Sequence, residues 1–257
     1  MHQFTRREMV QGLAYLATSR AVYGEGFRNL TVHHVSLQVR DLARSSEFYA
    51  RAFGCVILKR DDGTVLLPLG KGHIILRRGS PTGTVDHFAI GIDGFAQEAV
   101  LRDLKARGAD PSVVGMRVKD PDGVSVQVTS NVQASPGDNY IGAPTAFGGS
   151  SLDHVSIYVS DLKRSAGFYQ RAFDCSVSEA GATLHLSIGK AHISLRESKP
   201  PGQVDHFAVG INPFDEEAIV RKLRARGAEP KYRGNIVEGL HVVDPDGYPV
   251  QVIASSI

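Results

Sequence analysis

The sequence has little of three things: charge of one sign, cysteine and long apolar runs. Its formal net charge is only +2, with both signs scattered, so neither nucleic acid nor an anionic membrane is indicated as a partner. Two cysteines, Cys55 and Cys175, are interpreted as small buried apolar residues rather than as a disulfide or a zinc site. No stretch approaches the ~20 apolar residues of a membrane-spanning helix.

The N-terminal segment, residues 1–29, has two interpretations. Thr5-Arg6-Arg7-Glu8-Met9-Val10 resembles a twin-arginine export signal, and a short apolar stretch follows it as far as Ala17. Arg20 interrupts the apolar run, which suits an ordinary amphipathic N-terminal helix instead. The first interpretation predicts export to the periplasm, and the second predicts a cytoplasmic protein.

What the chain does have is an internal repeat. Residues 30–130 and 151–257 run in parallel and predict two domains, joined by a linker at residues 131–150 that is rich in Pro, Gly, Ala and Asn. Both copies keep the same polar residues inside apolar strands. The matching segments are His34-Val35-Ser36 with His154-Val155-Ser156, Val85-Asp86-His87-Phe88-Ala89 with Val204-Asp205-His206-Phe207-Ala208, Asp120-Pro121-Asp122-Gly123 with Asp244-Pro245-Asp246-Gly247, and Gln127 with Gln251.

Each copy alternates strand and helix patterns, which predicts two βαβββ units per copy. A helix is predicted over residues 42–53, with Asp41 as its N-cap and Gly54 at its end. A second helix is predicted over residues 95–107. The Asp-Pro-Asp-Gly segments are interpreted as hairpin turns without chemistry of their own.

The alternation of residues along the strands predicts where the polar side chains meet. His34 belongs to the polar face of its strand, whereas His33 is out of phase and is expected to be exposed. Burying histidine and glutamine costs free energy unless each finds a partner, and a metal is one such partner. Two concave surfaces are predicted, the first lined by His34, His87 and Gln127 and the second by His154, His206 and Gln251.

Paired βαβββ units, the His-Val opening strand and the Asp-Pro-Asp-Gly turn before the last strand resemble the vicinal oxygen chelate superfamily. Its members include glyoxalases, epimerases, fosfomycin resistance enzymes, bleomycin-binding proteins and extradiol dioxygenases. The resemblance implies an α+β fold of two tandem domains, each a pair of βαβββ units that forms a cupped mixed sheet. It is specific for the fold and much less so for the reaction.

The resemblance also implies two sets of metal ligands, at the predicted triads His34, His87 and Gln127, and His154, His206 and Gln251. The fourth ligand of glyoxalase-like members falls on Ile75 and Ser194, which leaves three protein ligands, as in extradiol dioxygenases. Those enzymes have glutamate where this chain has glutamine. A neutral glutamine leaves a bound dication its full +2 charge, which attracts an anionic chelating substrate. Fe(II) or Mn(II) is favoured, with Ni(II) and Zn(II) possible; the alternative interpretation is that the glutamines replace former glutamates and the triads have lost their metal.

Further residues are candidates for acting on a substrate. His241 lies where extradiol enzymes place a tyrosine near the substrate, and Arg117 is its counterpart in the first copy. An inward His-x-x-x-Arg pair in each copy suits an acid or base beside an anion clamp, although rim positions or interdomain salt bridges explain these pairs equally well. The catalytic candidates are His192, His241, Tyr158 and His73, and the substrate-binding candidates are Arg77, Arg196 and Arg117.

Three functions remain open on these grounds. The leading expectation is a metal-dependent, extradiol-dioxygenase-like enzyme acting on a small catechol-like or enolisable molecule. A glyoxalase- or epimerase-like lyase or isomerase is the second, and a non-enzymatic protein that sequesters a drug or metabolite is the third. The expected partner is a small-molecule substrate, and a homodimer is compatible with the resemblance.

Overall fold

The computed structural model describes residues 27–131, 147, 149–232 and 239–255. The twin-arginine-like segment and most of the predicted linker lie outside the described residues. Among the residues described, no helix combines the length and the apolar character needed to cross a membrane.

The first copy of the repeat forms one mixed sheet of seven strands. In chain order they are β1 (Thr31–Val39), β2 (Leu58–Asp61), β3 (Thr64–Leu69), β4 (Gly72–Arg78), β5 (Thr84–Ile92), β6 (Arg117–Lys119) and β7 (Ser125–Ser130). Their spatial order is β2-β3-β4-β1-β5-β7-β6. The central strand β1 pairs in parallel with β4 and antiparallel with β5, so the two halves of the sheet meet along β1 and β5.

The second copy forms a separate mixed sheet of eight strands. They are β8 (Gly149–Val159), β9 (Val177–Ala180), β10 (Thr183–Ile188), β11 (Ala191–Glu197), β12 (Gln203–Asn212), β13 (Lys231–Tyr232), β14 (Leu240–Val243) and β15 (Pro249–Ala254). Their order is β13-β14-β15-β12-β8-β11-β10-β9, which repeats the pattern of the first sheet. The predicted α+β fold of two tandem cupped sheets is confirmed.

Two helices accompany each sheet: α1 (Leu42–Phe53), α2 (Gln97–Ala106), α3 (Leu162–Phe173) and α4 (Glu216–Ala225). α1 has the predicted bounds, because the Asp41 carboxylate accepts from the Arg44 backbone N–H at 3.1 Å and Gly54 ends the helix at φ 75°. α2 is shorter at both ends than the predicted 95–107. Its N-cap, Ala96, has no side-chain oxygen to satisfy the first backbone N–H groups.

The apolar face of each sheet packs on these helices, as the alternation predicts. On β1, Val35 and Leu37 are fully buried, as are Tyr49 and Phe53 on α1. Burying such side chains supplies the main free energy of folding, at roughly 1.5–3 kcal/mol each. Cys55 is buried and unpaired, and so is its counterpart in the second copy, Cys175, as predicted.

One predicted strand is missing from the first copy. In the second copy β13 pairs with β14 at the sheet edge. At the equivalent place in the first copy, the described residues form only an isolated bridge between Ser112 and Arg117. A short 3-10 turn, Val114–Met116, fills the space between them, so the chain turns back before a second pair of residues can join the sheet.

The Asp-Pro-Asp-Gly turns do more than close hairpins, because each reaches into the other domain. The Asp122 carboxylate, from the first domain, accepts hydrogen bonds at the start of α3 from the Ser160 backbone N–H at 3.1 Å and from Arg164 Nη2 at 2.7 Å. The Asp246 carboxylate accepts at the start of α1 from the Arg40 backbone N–H at 3.0 Å. A negative charge is favourable at a helix N-terminus, so each turn stabilises the first helix of the opposite domain.

A second pair of interdomain hydrogen bonds is fully buried. Tyr169 Oη donates to Asp120 Oδ2 at 3.2 Å, and Tyr49 Oη donates to Asp244 Oδ2 at 3.0 Å. Burial raises the pKa of both aspartates, and it raises the pKa of both tyrosines well above the ordinary value. Two equivalent buried contacts therefore join the domains, and the sequence does not reveal them.

Candidate metal centre

The second sheet sets out its polar side chains in a row across five neighbouring strands. Because the strands pair in register, one residue from each strand lies about 4.8 Å from the next. In order across β11, β8, β12, β15 and β14 the row is His192, His154, Ala208, Gln251 and His241. The small side chain of Ala208 leaves space at the centre of the row.

His206 lies two residues before Ala208 on β12 and therefore on the same face of the sheet as this row. The pairing between β12 and β8 skips one residue at two places. On β12 it skips Asp205, between Val204 and His206, and on β8 it skips Asp153, between Leu152 and His154. Asp205 and Asp153 are therefore the extra residues of two bulges. A bulge places two consecutive residues on the same side of a sheet. Each histidine is therefore accompanied by the aspartate that precedes it.

Each aspartate holds its histidine in one tautomer. His206 Nδ1 lies 2.7 Å from Asp205 Oδ2, and His154 Nδ1 lies 3.2 Å from Asp153 Oδ1. An ionised carboxylate only accepts hydrogen bonds, so both Nδ1 atoms carry the proton and both Nε2 atoms carry a lone pair. The same carboxylate–histidine pairing orients metal-ligating histidines in proteins generally.

The two lone pairs face each other. His154 Nε2 lies 3.4 Å from His206 Nε2, and burial lowers the pKa of His154, which keeps its ring neutral. Gln251 is within hydrogen-bonding reach of His154, so its amide belongs to the same small space. Two acceptor nitrogens at this distance repel each other unless a cation lies between them. The chemistry of His154, His206 and Gln251 thus fits a divalent metal, which these three residues could hold together.

Three more histidines surround this pair. His192 stacks on His154 with ring centroids 4.5 Å apart, and His185 stacks on the other side of His192 at 4.5 Å. His241 meets His206 edge-on at 5.3 Å, and its Nδ1 lies 3.1 Å from the Gly239 carbonyl oxygen. Burial, together with the charges of His154 and His185, lowers the pKa of His192 to about 3. A ring nitrogen of His192 also lies within 4.8 Å of a carboxylate oxygen of Asp153 and of a ring nitrogen of His154, so these three atoms could ligate one metal ion.

The first domain has a related but different site. His34 Nε2 lies 3.2 Å from His87 Nε2, and Gln127 is two strands away from His34 in the same row, across Ala89. At the position that Asp153 occupies in the second domain, the first domain has His33, which is buried with 7% of its surface exposed. The expectation that His33 is exposed is therefore wrong, because the bulge in β1 turns it to the same side as His34.

A cation occupies the position of His241 in the first domain. Arg117 Nη2 lies 3.1 Å from Asp86 Oδ2 and 2.9 Å from His87 Nδ1, while Asp86 Oδ2 lies 2.6 Å from the same His87 Nδ1. Burial raises the pKa of Asp86, but the hydrogen bond with His87 and the charge of Arg117 lower it overall. The guanidinium neutralises this carboxylate, so the pair that faces His34 lacks the negative surroundings of the second domain.

The remaining predicted residues lie at two distances from these centres. His73 is buried directly beside His34, with the rings stacked and their centroids 5.8 Å apart. Tyr158 is four residues along β8 from His154, a separation of about 13 Å along an extended strand. Arg196 pairs with Tyr158 in register, and exposed Arg77 takes the equivalent place beside Gln38 in the first domain. The backbones of these three residues are therefore four residues away from the facing imidazoles. The Arg77 side chain reaches back, because its charge is, after burial, among the causes that lower the pKa of His34 and of His87.

Sequence reasoning missed three groups that shape the sites: Asp153 and Asp205, which orient the histidines, and His185, which extends the stack on His192. The signal for the aspartates was present, because Asp205-His206 repeats Asp86-His87 and Asp153 directly precedes His154. His185 has no such signal, since Leu66 stands at the matching position of the first copy.

Tandem mixed sheets of βαβββ units, each with facing imidazoles in its concave side, define the vicinal oxygen chelate class of proteins. A family model described as the glyoxalase/bleomycin resistance protein/dioxygenase superfamily matches residues 31–128 and 151–252. The chain therefore belongs to this superfamily.

Solved structures of this class share the fold at low sequence identity. The 2,3-dioxygenase LapB from Pseudomonas sp. KL28 aligns with a TM-score of 0.70 at 16% identity, covering 90% of this chain and 93% of that one. The Mn(II)-bound glyoxalase from Novosphingobium aromaticivorans gives 0.67 at 17% identity, covering 88% and 82%. Homoprotocatechuate 2,3-dioxygenase from Brevibacterium fuscum gives 0.67 at 18% identity, covering 88% and 81%. These similarities establish the fold, whereas the reaction has to be argued from the site.

Proposed function

We propose that this protein is a metal-dependent enzyme whose working centre lies in the second domain. His154, His206 and Gln251 would hold Fe(II) or Mn(II), and the ion would supply a positive charge that attracts the vicinal oxygens of a small catechol-like or enolisable substrate. The observation that carries the proposal is the pair of Nε2 atoms 3.4 Å apart, each made an acceptor by a carboxylate on its Nδ1. Similar dioxygenase and Mn(II)-bound glyoxalase folds support it.

The charge around the two centres supports the choice of domain. Asp153 is fully buried and Asp205 is 8% exposed, so two carboxylates lie directly behind the ligands of the second centre. They offset the +2 charge that a neutral glutamine ligand would leave on the ion. In the first domain, Asp86 is paired with Arg117 at 3.1 Å. A dication is therefore more stable in the second domain than in the first. The two carboxylates also weaken the attraction between the ion and an anionic substrate, compared with an ion whose surroundings are neutral apart from the glutamine ligand.

The ligands and their neighbours have distinct roles in this proposal. When bound, the divalent ion polarises the oxygens of the substrate and holds them side by side. His192 is a poor base, because its pKa is held at about 3, and it serves as a neutral hydrogen-bond partner of the substrate. His241 uses its Nδ1 proton for the Gly239 carbonyl, so Nε2 is its basic nitrogen and accepts the substrate hydroxyl proton. Tyr158 and Arg196, further out, are assigned to contacts with the rest of the substrate.

Oxygen uptake tests the reaction. Protein purified anaerobically and loaded with Fe(II) or Mn(II) is mixed with a panel of substituted catechols, and oxygen consumption and ring-cleavage absorbance are followed. His206→Ala is expected to abolish turnover, while the matched first-domain variant His87→Ala retains it. Metal binding with no oxygen uptake would point to a glyoxalase- or epimerase-like reaction. Equal loss in both variants would contradict the assignment to the second domain.

A further inference from the structure

The first domain contains four buried histidines in continuous contact. Beyond the His34–His87 pair, His33 Nδ1 lies 2.9 Å from His34 Nδ1, and the His33 ring meets His73 edge-on with centroids 4.5 Å apart. His33, His34 and His73 are 7%, 6% and 5% exposed. The matching trio in the second domain is Asp153, His154 and His192, because Asp153 stands where His33 does.

The contacts within this cluster engage one ring nitrogen of His33 and leave the other without a partner. His33 Nδ1 faces His34 Nδ1 at 2.9 Å, and His34 Nε2 in turn faces His87 Nε2 at 3.2 Å. The second ring nitrogen of His33 is Nε2. That atom is buried and has no hydrogen-bond partner among the described residues.

A buried ring nitrogen without a hydrogen-bond partner is costly, and a cation bound to its lone pair removes that cost. One ring nitrogen each of His33, His34 and His73 lies within 4.8 Å of the others, a spacing that allows all three to reach one ion. Burial also lowers the pKa of His33 to about 4, so the ring is neutral and able to ligate at neutral pH.

We infer that the first domain binds a second transition-metal ion through His33, His34 and His73. This donor set differs from the predicted triad of His34, His87 and Gln127, with which it shares only His34. It is independent of the proposed function, because none of its ligands belongs to the second domain.

The three imidazole ligands of this site favour a different metal ion from the one proposed for the second domain. Three neutral imidazoles suit Cu(II), Zn(II) or Ni(II), and affinity in such nitrogen sites rises toward Cu(II). No carboxylate is among the three ligands, and Asp86, which contacts His87, is paired with Arg117. Fe(II) and Mn(II), which favour oxygen ligands more strongly, are expected to bind poorly here.

Val32 and Gly72, which directly precede His33 and His73 in the chain, line a cavity of about 730 Å³ between the two domains. The Gly72 backbone is close enough that a Cβ there would lie 3.1 Å from the His33 carbonyl oxygen.

Metal titration in a His154→Ala/His206→Ala background isolates the first domain. Cu(II) and Zn(II) are the probes, with affinity measured by competition against a chelator and the number of nitrogen ligands by electron paramagnetic resonance of the Cu(II) form. We expect one equivalent to bind. Adding His33→Ala or His73→Ala should weaken the affinity more than about 100-fold, since even indirect ligand supports are worth 10–100-fold.

The controls separate this site from the predicted triad. Gln127→Ala in the same background should leave binding within a few-fold, because its side chain is not a ligand in this inference. His33→Phe keeps an aromatic ring of similar size and replaces His33→Ala if that variant does not fold. Absence of binding in the background protein, or loss with Gln127→Ala but not with His33→Phe, would overturn the inference. Either result leaves the second-domain centre to be judged separately, in the parent protein.

Discussion

The buried tyrosine–aspartate contacts between the domains allow a quantitative prediction. Tyr169→Phe removes only the hydroxyl that donates to Asp120 Oδ2 at 3.2 Å. The other oxygen, Oδ1, keeps its bonds from the backbone N–H groups of Asp122 and Val124 at 2.9 and 2.8 Å. Asp120 is 4% exposed, so water cannot fully replace the lost donor. A hydrogen bond to a charged group contributes about 1.5–3 kcal/mol, and we expect the free energy of unfolding to fall by that amount.

The equivalent variant, Tyr49→Phe, removes the bond to Asp244 and should cost about the same 1.5–3 kcal/mol. The two pairs share no residue, so the double variant should lose roughly 3–6 kcal/mol by addition. The control is Tyr232→Phe, which removes an exposed hydroxyl that donates to Glu216 and should change stability by no more than about 0.5 kcal/mol. Urea unfolding of all four proteins measures these values. Losses below 0.5 kcal/mol at Tyr49 and Tyr169 would refute the reasoning.

Three further predictions concern the sites and the interface between the domains. Asp205→Asn replaces the charged acceptor that orients His206 with a neutral amide and should weaken Fe(II) or Mn(II) binding about 10–100-fold, whereas Asp86→Asn should not; chelator competition measures both. Gly189→Ala should destabilise the protein more than Gly181→Ala. Both glycines have φ +64°, but only at Gly189 would a Cβ lie 2.0 Å from a backbone oxygen of the first domain, while at Gly181 it meets nothing within 4 Å; thermal unfolding compares them. In metal-free protein, the folded state binds fewer protons than the unfolded state between pH 6.5 and about 4, because burial lowers the pKa of His33. His33 therefore contributes on the order of 3 kcal/mol to the free energy of unfolding above pH 6.5, and this contribution is lost as the pH falls through that window. Urea unfolding of wild type and His33→Phe across the window measures it. A difference between their free energies of unfolding that does not change with pH would be inconsistent with the prediction.

Strand alternation and helix caps predicted the fold well. Val35 and Leu37 are buried where the period of two places them, and α1 begins after Asp41 and ends at Gly54 as its capping residues indicate. These features depend on local chemistry, which the sequence expresses directly.

The details of the sites were harder to predict, because bulges break the alternation. His33 is buried beside His34 only because β1 contains an extra residue against β5, and Asp153 reaches His154 in the second domain through the same irregularity. A bulge depends on the pairing between strands distant in sequence, which no local pattern reports. The interdomain bonds of Tyr49 and Tyr169 depend in the same way on how the two domains pack.

Metal content is the most direct test of the central claim, that the second domain holds the divalent ion. Wild-type protein, His154→Ala/His206→Ala and the matched first-domain variant His34→Ala/His87→Ala are purified anaerobically without chelators, loaded with Fe(II) or Mn(II), and subjected to elemental analysis. The account predicts one equivalent in wild type and in the first-domain variant, and loss of that metal in the second-domain variant. Retention of Fe(II) or Mn(II) by the second-domain variant, or its loss from the first-domain variant alone, would contradict the account.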